Sequence, residues 1–251
     1  MKITIHKETL SILSLVLSAL AIAMSVVANL GTSVYAVPAI ALARLITTSL
    51  PSGFNPIIGD VIGSQPFAEL IINTSFLIMF CIIIRKFRPM FLFSFVTTFI
   101  YASFLYGFQW IPAFRPTFDH NYPLYLRVIM LMLSITLLSA SVACSLRGYL
   151  YPPTVTFVQK GIIQHYNIKR VWIVFLAFDV TFTLSSIFII YGVYGDWWFW
   201  NHNLSYGSLA TALLSGPLID ILNRLMNKCI ETKTLLPAWE EAFKIEDKKG
   251  Y

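Results

Sequence analysis

The chain has 251 residues, 57% of them hydrophobic and only 12% charged, with a mean hydropathy of +0.72. Soluble domains carry about 25% charged residues, so this much apolar surface exceeds what a soluble core of this size can hide, and the class is a polytopic α-helical membrane protein. Long unbroken apolar runs exclude a β-barrel, whose strands alternate over ~10 residues. The net charge of +6 orients helices and does not form a nucleic-acid patch.

Leu10 to Leu30 is a charge-free apolar run, and ~20 such residues span a bilayer core. Lys2 and Lys7 before it also fit a signal peptide, but the run is longer than a usual h-region. Ser11, Ser14, Ser18 and Ser25 recur at helical spacing, and small residues let helices approach closely in lipid, which predicts a central helix. The run breaks at Gly31, yet Val34 to Ile46 stays apolar with Arg44 as its one charge. Unpaired backbone at membrane depth requires a protein or water-lined surround, so residues 31–50 are predicted to be a short, broken or re-entrant element. A Gly/Pro/Ser-rich stretch containing Asp60 follows. Further spans are predicted over Pro66–Ile84, Met90–Ile111, Pro123–Ser145, Val171–Gly192 and Gly207–Met226. A second broken element, 148–166, opens on Gly148-Tyr-Leu-Tyr-Pro-Pro153. Trp197-Trp198-Phe199-Trp200 suits a membrane interface.

With the N-terminus inside and six crossings, all eighteen Lys and Arg except Arg44, Arg115 and Arg127 fall on the inner side. By the positive-inside rule both termini are cytoplasmic and the protein is expected in the cell membrane. The two halves, 1–115 and 116–226, share one order: span, broken short element, span, span. Residues 227–251 form a mixed-charge cytoplasmic tail. Three crossings per half orient the halves oppositely. The fold expected is therefore all-α, with six transmembrane helices in two inverted three-helix repeats, as in secondary transporters.

A carboxylate at membrane depth costs about 2.5–3.5 kcal/mol on insertion scales. Asp179 is such a group: either it forms a cation or proton-coupled site, or it caps a broken element or pairs with Lys160 or Arg224. Asp220 has Arg224 four residues on, at helix-pair spacing. Asn73 is a polar mid-span residue that either binds solute or makes an interhelical hydrogen bond. Thr32 and Ser33 follow the first break and either bind solute or cap the short helix. Glu69 lies close enough to the outer surface to be solvated, and Arg44 and Lys160 can snorkel. The candidate solute- or ion-binding set is Asp179, Asn73, Thr32, Ser33 and Asp220. Cys81, Cys144 and Cys229 are scattered, as are the four histidines, so no metal site or cofactor is expected. No HExxH, GxSxG, Walker loop or CxxC is present, so no enzyme is expected.

On Leu30-Gly-Thr-Ser33, Pro152-Pro153 with Lys160, Phe178-Asp179, Gly207, Leu213 and Gly216-Pro217, the sequence resembles the YczE/YyaS/YitT group of integral membrane proteins, over most of the chain up to about residue 226. The resemblance implies a multi-spanning bacterial inner-membrane protein. The chain departs from that pattern at Ala102 and Tyr106 in the third span and in reading Tyr-Pro-Pro at the fourth-span break. The function expected is a secondary transporter or channel-like permease for a small polar solute or ion in the lipid bilayer. The alternative is a non-transporting scaffold, regulator or sensor.

Overall fold

The computed structural model describes residues 3–31, 37–51, 59, 62–63, 65–85, 87–114, 122–168, 170–195 and 206–243. Among them, six helices are long and apolar enough to cross a membrane. They are Lys7–Ala28 (α1), Gln65–Ile84 (α3), Phe93–Trp110 (α4, entered through a 3-10 turn at Pro89–Leu92), Leu124–Arg147 (α5), Val171–Tyr194 (α7) and Tyr206–Cys229 (α8). Two short helices, Val37–Ser49 (α2) and Thr154–His165 (α6), follow the first and fourth spans. Thr32, Ser33, Asp60 and the Trp197–Trp200 belt lie outside the described residues.

The first helix ends three residues before Gly31, the glycine that signals its break. Asn29 takes a left-handed conformation (φ 47°) and closes α1 onto the Val26 carbonyl, a role asparagine fills when glycine is absent. At the second break Gly148 closes α5, and Pro152-Pro153 removes two donors and disfavours helix before it.

The central pair is α1 and α5. Ser141 Oγ donates to the Ser14 carbonyl at 2.7 Å, Ser134 Oγ to the Ala21 carbonyl at 2.8 Å, and Arg127 Nε to the Ala28 carbonyl at 2.7 Å. Positions rise by sevens on one helix as they fall by sevens on the other, so the two run antiparallel, at the spacing of a left-handed pair. They are the most buried of the six spans, as the serine stripe predicts. Each has its C-terminal carbonyls capped by a cation: Arg127 bonds Ala28 and Asn29, and Lys160 bonds Ser145 and Gly148. Cations are favoured there by the helix dipole. Around this pair, α4 packs on α1 and α8 on α5, while α2 lies against α3 and α7, and α6 against α3 and α7.

The chain after α8 is ordered where the sequence suggests only a mixed-charge tail. Residues Ile230–Lys233 pair in parallel with Ile3–His6, Ile3 opposite Ile230 and His6 opposite Lys233. An isolated two-strand ribbon is marginal in water, and this one is held from outside. The Glu8 carboxylate accepts from the Leu235 and Leu236 amides at 2.9 and 3.1 Å, and Glu240 accepts from Lys7 and Thr234. A last helix, Pro237–Ala242 (α9), then delivers Phe243 edge-on to Tyr151 and Phe93, ring centroids 4.9 Å apart in both cases. Residues 230–243 thus form a strap across the end of the bundle that carries Lys7, Arg147 and Lys160.

Two outcomes follow from these contacts. A Cβ at Gly207 would collide with the Leu30 carbonyl oxygen, to which the Gly207 amide donates at 2.8 Å. Gly207→Ala should therefore destabilise by about 1–3 kcal/mol, read as a lowered Tm in detergent, while Gly107→Ala, with open space at its Cβ, should leave Tm near wild type. The hydrogen bond from Lys7, followed by that from Thr234, holds the Glu240 carboxyl below its ordinary value of 4.5. Strap docking is then fully supported above that value and weakens as pH falls through the lowered one. Hydrogen exchange of residues 230–243, corrected for intrinsic rates, should lose protection on acidification below pH 4.5 in wild type. Glu240→Gln should show a smaller loss, the remainder coming from protonation of Glu8, whose carboxylate accepts from the strap amides.

Candidate functional site

A cavity of about 100 Å³ opens beside the central pair, room for a few waters or a small ion. Four long helices supply most of its walls. From α1 come Ser14, Ser18 and Ile22, and from α5 come Leu138, Ser141, Val142 and Ser145. From α3 come Glu69, Ile72 and Asn73, and from α4 Thr98 and Tyr101. Both short helices reach it by their N-terminal ends: α2 through Ala39 in its first turn, α6 through Pro152, Pro153, Val155 and Thr156. The two interruptions of the chain thus converge on one space, whose walls are largely apolar with a few polar groups among them.

The hydroxyls around that space have a common orientation. Ser14 donates to the Ser11 carbonyl at 2.7 Å, Ser18 to Leu15 at 3.0 Å, Ser145 to Val142 at 2.8 Å and Thr98 to Ser94 at 2.7 Å. Ser141 donates across the seam to Ser14. Back-bonding of this kind is usual for serine and threonine within helices. Each proton is directed at a carbonyl, so oxygen lone pairs remain to face inward. The Thr98 oxygen also accepts from the Thr154 amide at 3.4 Å, which gives the start of α6 a cap supplied by another helix. Glu69 adds a carboxylate close enough to Tyr101 to act on it electrostatically. On a largely apolar lining, the polar groups present are thus mostly acceptor oxygens, with Asn73 and Tyr101 also able to donate.

The residues singled out in the sequence divide. Asn73 is buried and lines the cavity. Asp179 is 1% exposed and accepts from Ser215 Oγ at 2.7 Å, joining α7 to α8; neither helix contributes to the lining. Asp220 bonds Arg224 at 2.6 Å within one helix, as the four-residue spacing anticipates, with the arginine largely exposed. Thr32 and Ser33 fall outside the described residues. Lys160 does not snorkel: it is 6% exposed and caps α5. Sequence reasoning passed over Glu69 by judging it near the surface. It also read Ser14 and Ser18 as packing alone, though the matching pair Ser141 and Ser145, again four apart, was the signal that two such stripes face one space.

A model of a family of unknown function, DUF6198, matches residues 5–224. The chain belongs to this family. The DUF6198 match takes in the central pair, both short helices and every cavity-lining residue, and stops short of the strap. No curated protein and no solved structure matches the chain.

The cap on α6 gives a direct test of how the cavity wall is held. Thr98→Val keeps the shape but leaves the Thr154 amide without its acceptor. Loss of a capping oxygen costs about 0.5–2 kcal/mol, so the variant should melt lower than wild type in detergent, and Thr181→Val, on an exposed helix face, should not.

Proposed function

We propose that this multi-pass helical membrane protein of the DUF6198 family is a permease for a small polar solute or ion, built from two inverted three-helix halves. The observation that carries the reading is the convergence of both interrupted elements on one cavity beside the central pair, largely apolar in surface but bordered by Glu69, Asn73 and several hydroxyls. The contacts between helices support the inverted halves: α1 with α4 repeats as α5 with α8, and α2 with α7 repeats as α6 with α3. The antiparallel run of α1 and α5, first helices of the two halves, supports opposite orientations. Discontinuous helices meeting at depth between such halves recur in secondary transporters.

The lining narrows the solute class. Acceptor oxygens and the Glu69 carboxylate favour a cation or a solute rich in donors, and the small volume favours one of few heavy atoms. The reading involves no covalent chemistry. The cell membrane, with both termini cytoplasmic, is its setting, which the clustering of Lys7, Arg147, Lys160 and Lys233 at one end supports. Kinship with the YczE/YyaS/YitT group is part of the same proposal and rests on the short motifs alone. A scaffold, regulator or sensor is the second reading. Asp179 and Asp220 favour it to the extent that both meet partners away from the cavity.

Uptake into proteoliposomes across a panel of monovalent cations and small amines is the test. Wild type should carry at least one of them, with Glu69→Gln and Asn73→Leu reducing flux at least about tenfold and Asp220→Asn leaving it near wild type. Flux that is absent across the panel, or the same in all four proteins, removes the permease reading in favour of the second.

A further inference from the structure

A second cavity, about 560 Å³, lies at the end of the bundle that carries the strap, apart from the site described above. Lys7, Arg147 and Lys160 line it, with Tyr151 in its wall and Glu240 and Glu241 from α9 at its rim. Counting Glu8, which bonds the lining residue Tyr149, three carboxylates stand near three cations, but they are not paired one to one. Glu240 answers Lys7, but among the described residues no carboxylate pairs with Arg147 or Lys160. Arg147 bonds the Asn223 backbone and side-chain oxygens at 2.6 and 3.1 Å, while its Nε is buried without a hydrogen-bond partner among the described residues. Lys160, buried, gives two of its three protons to backbone carbonyls, leaving the third. The Tyr151 hydroxyl is likewise buried without a partner there. Burial, opposed by Arg88, pushes that hydroxyl's pKa up to about 12, so it remains a donor at neutral pH.

Buried cations are ordinarily paired, and a buried donor with no acceptor costs free energy. The residues that carry both demands, for negative charge and for acceptors, line one cavity, and a side-chain shift would bring Arg147 Nε and the Tyr151 hydroxyl, both closed off from its open space, to face it. A phosphate group satisfies both, with several acceptor oxygens and up to two charges. We infer that this cavity is a phosphate-binding site formed by Arg147, Lys160, Lys7 and Tyr151, in which the Glu240 carboxylate holds Lys7 until the anion arrives. The phosphate belongs to an anionic lipid headgroup or to a soluble phosphate compound, and the site does not depend on the transport reading. The strap roofs it, so occupancy and strap docking are coupled through Lys7.

The full chain in detergent, at constant ionic strength set with sodium chloride, is melted against increasing inorganic phosphate. In parallel, nanodiscs of phosphatidylcholine are compared with nanodiscs containing phosphatidylglycerol. A saturable rise in Tm with phosphate assigns a soluble ligand. A rise confined to phosphatidylglycerol assigns a headgroup. In whichever arm responds, Arg147→Gln should weaken the midpoint about tenfold, the loss of one charge-assisted contact, and Glu240→Gln should tighten it severalfold by freeing Lys7. The second variant retains a readout even where the first fails to fold. No saturable response in either arm, or a midpoint unmoved by Glu240→Gln together with one unmoved by, or unmeasurable in, Arg147→Gln, overturns the proposal.

Discussion

Lipid offers apolar helices no hydrophobic reason to prefer each other, so association rests on close packing and interhelical polar contacts. In this chain that requirement is met along one seam. Serine hydroxyls of α5 bond carbonyls of α1 at seven-residue intervals, and the carbonyl ends of the two helices are closed by Arg127 and Lys160. The seam joins the first half to the second. Two further spans pack directly on it, α4 on α1 and α8 on α5, while α7 lies against α8 and both α3 and α7 lie against the short helices. A serine seam also has a chemical by-product: the same helices that touch through Ser14 and Ser141 turn polar oxygens toward the space beside the contact.

That space is where the chain's interruptions become useful. A helix broken near its end leaves backbone groups that lipid cannot satisfy. Here the break before α6 is covered by Thr98, and both short helices lie against long helices drawn from the two halves. Asn73 and Asp179 illustrate how position within the bundle separates similar residues. Each is the ninth residue of its helix, and each is buried. One meets the cavity and the other meets Ser215. A carboxylate held by a hydroxyl serves the joining of α7 to α8, whereas the Asn73 amide borders open space.

Reading the sequence recovered the six spans and both interruptions to within a few residues, because apolar run length and Gly/Pro punctuation are local signals. It set the second span at Pro66–Ile84 against Gln65–Ile84, and the fifth at Val171–Gly192 against Val171–Tyr194. It did less well where the deciding partner is distant. Glu69 read as a surface acid, and it is partly exposed; what the sequence did not show is that it also borders the cavity beside Tyr101. The segment after Asn227 read as a loose tail because its charges match those of solvated termini. What holds it, Ile3–His6, Lys7 and Glu8, lies more than two hundred residues away.

The amino-acid sequence by itself determined that this is a membrane-spanning helical protein, where its helices start and stop, and which end of the bundle gathers the positive charge. These follow from side-chain transfer to lipid and from backbone conformations at Asn, Gly and Pro, each decided within a few residues. The tertiary structure alone decided which polar groups share a space. Burial, cap and counter-charge depend on helices brought together from opposite ends of the chain, and no local pattern carries that pairing. It placed Asn73 and Glu69 in one cavity, gave Asp179 to Ser215, and brought Lys7, Arg147 and Lys160 together beneath the strap.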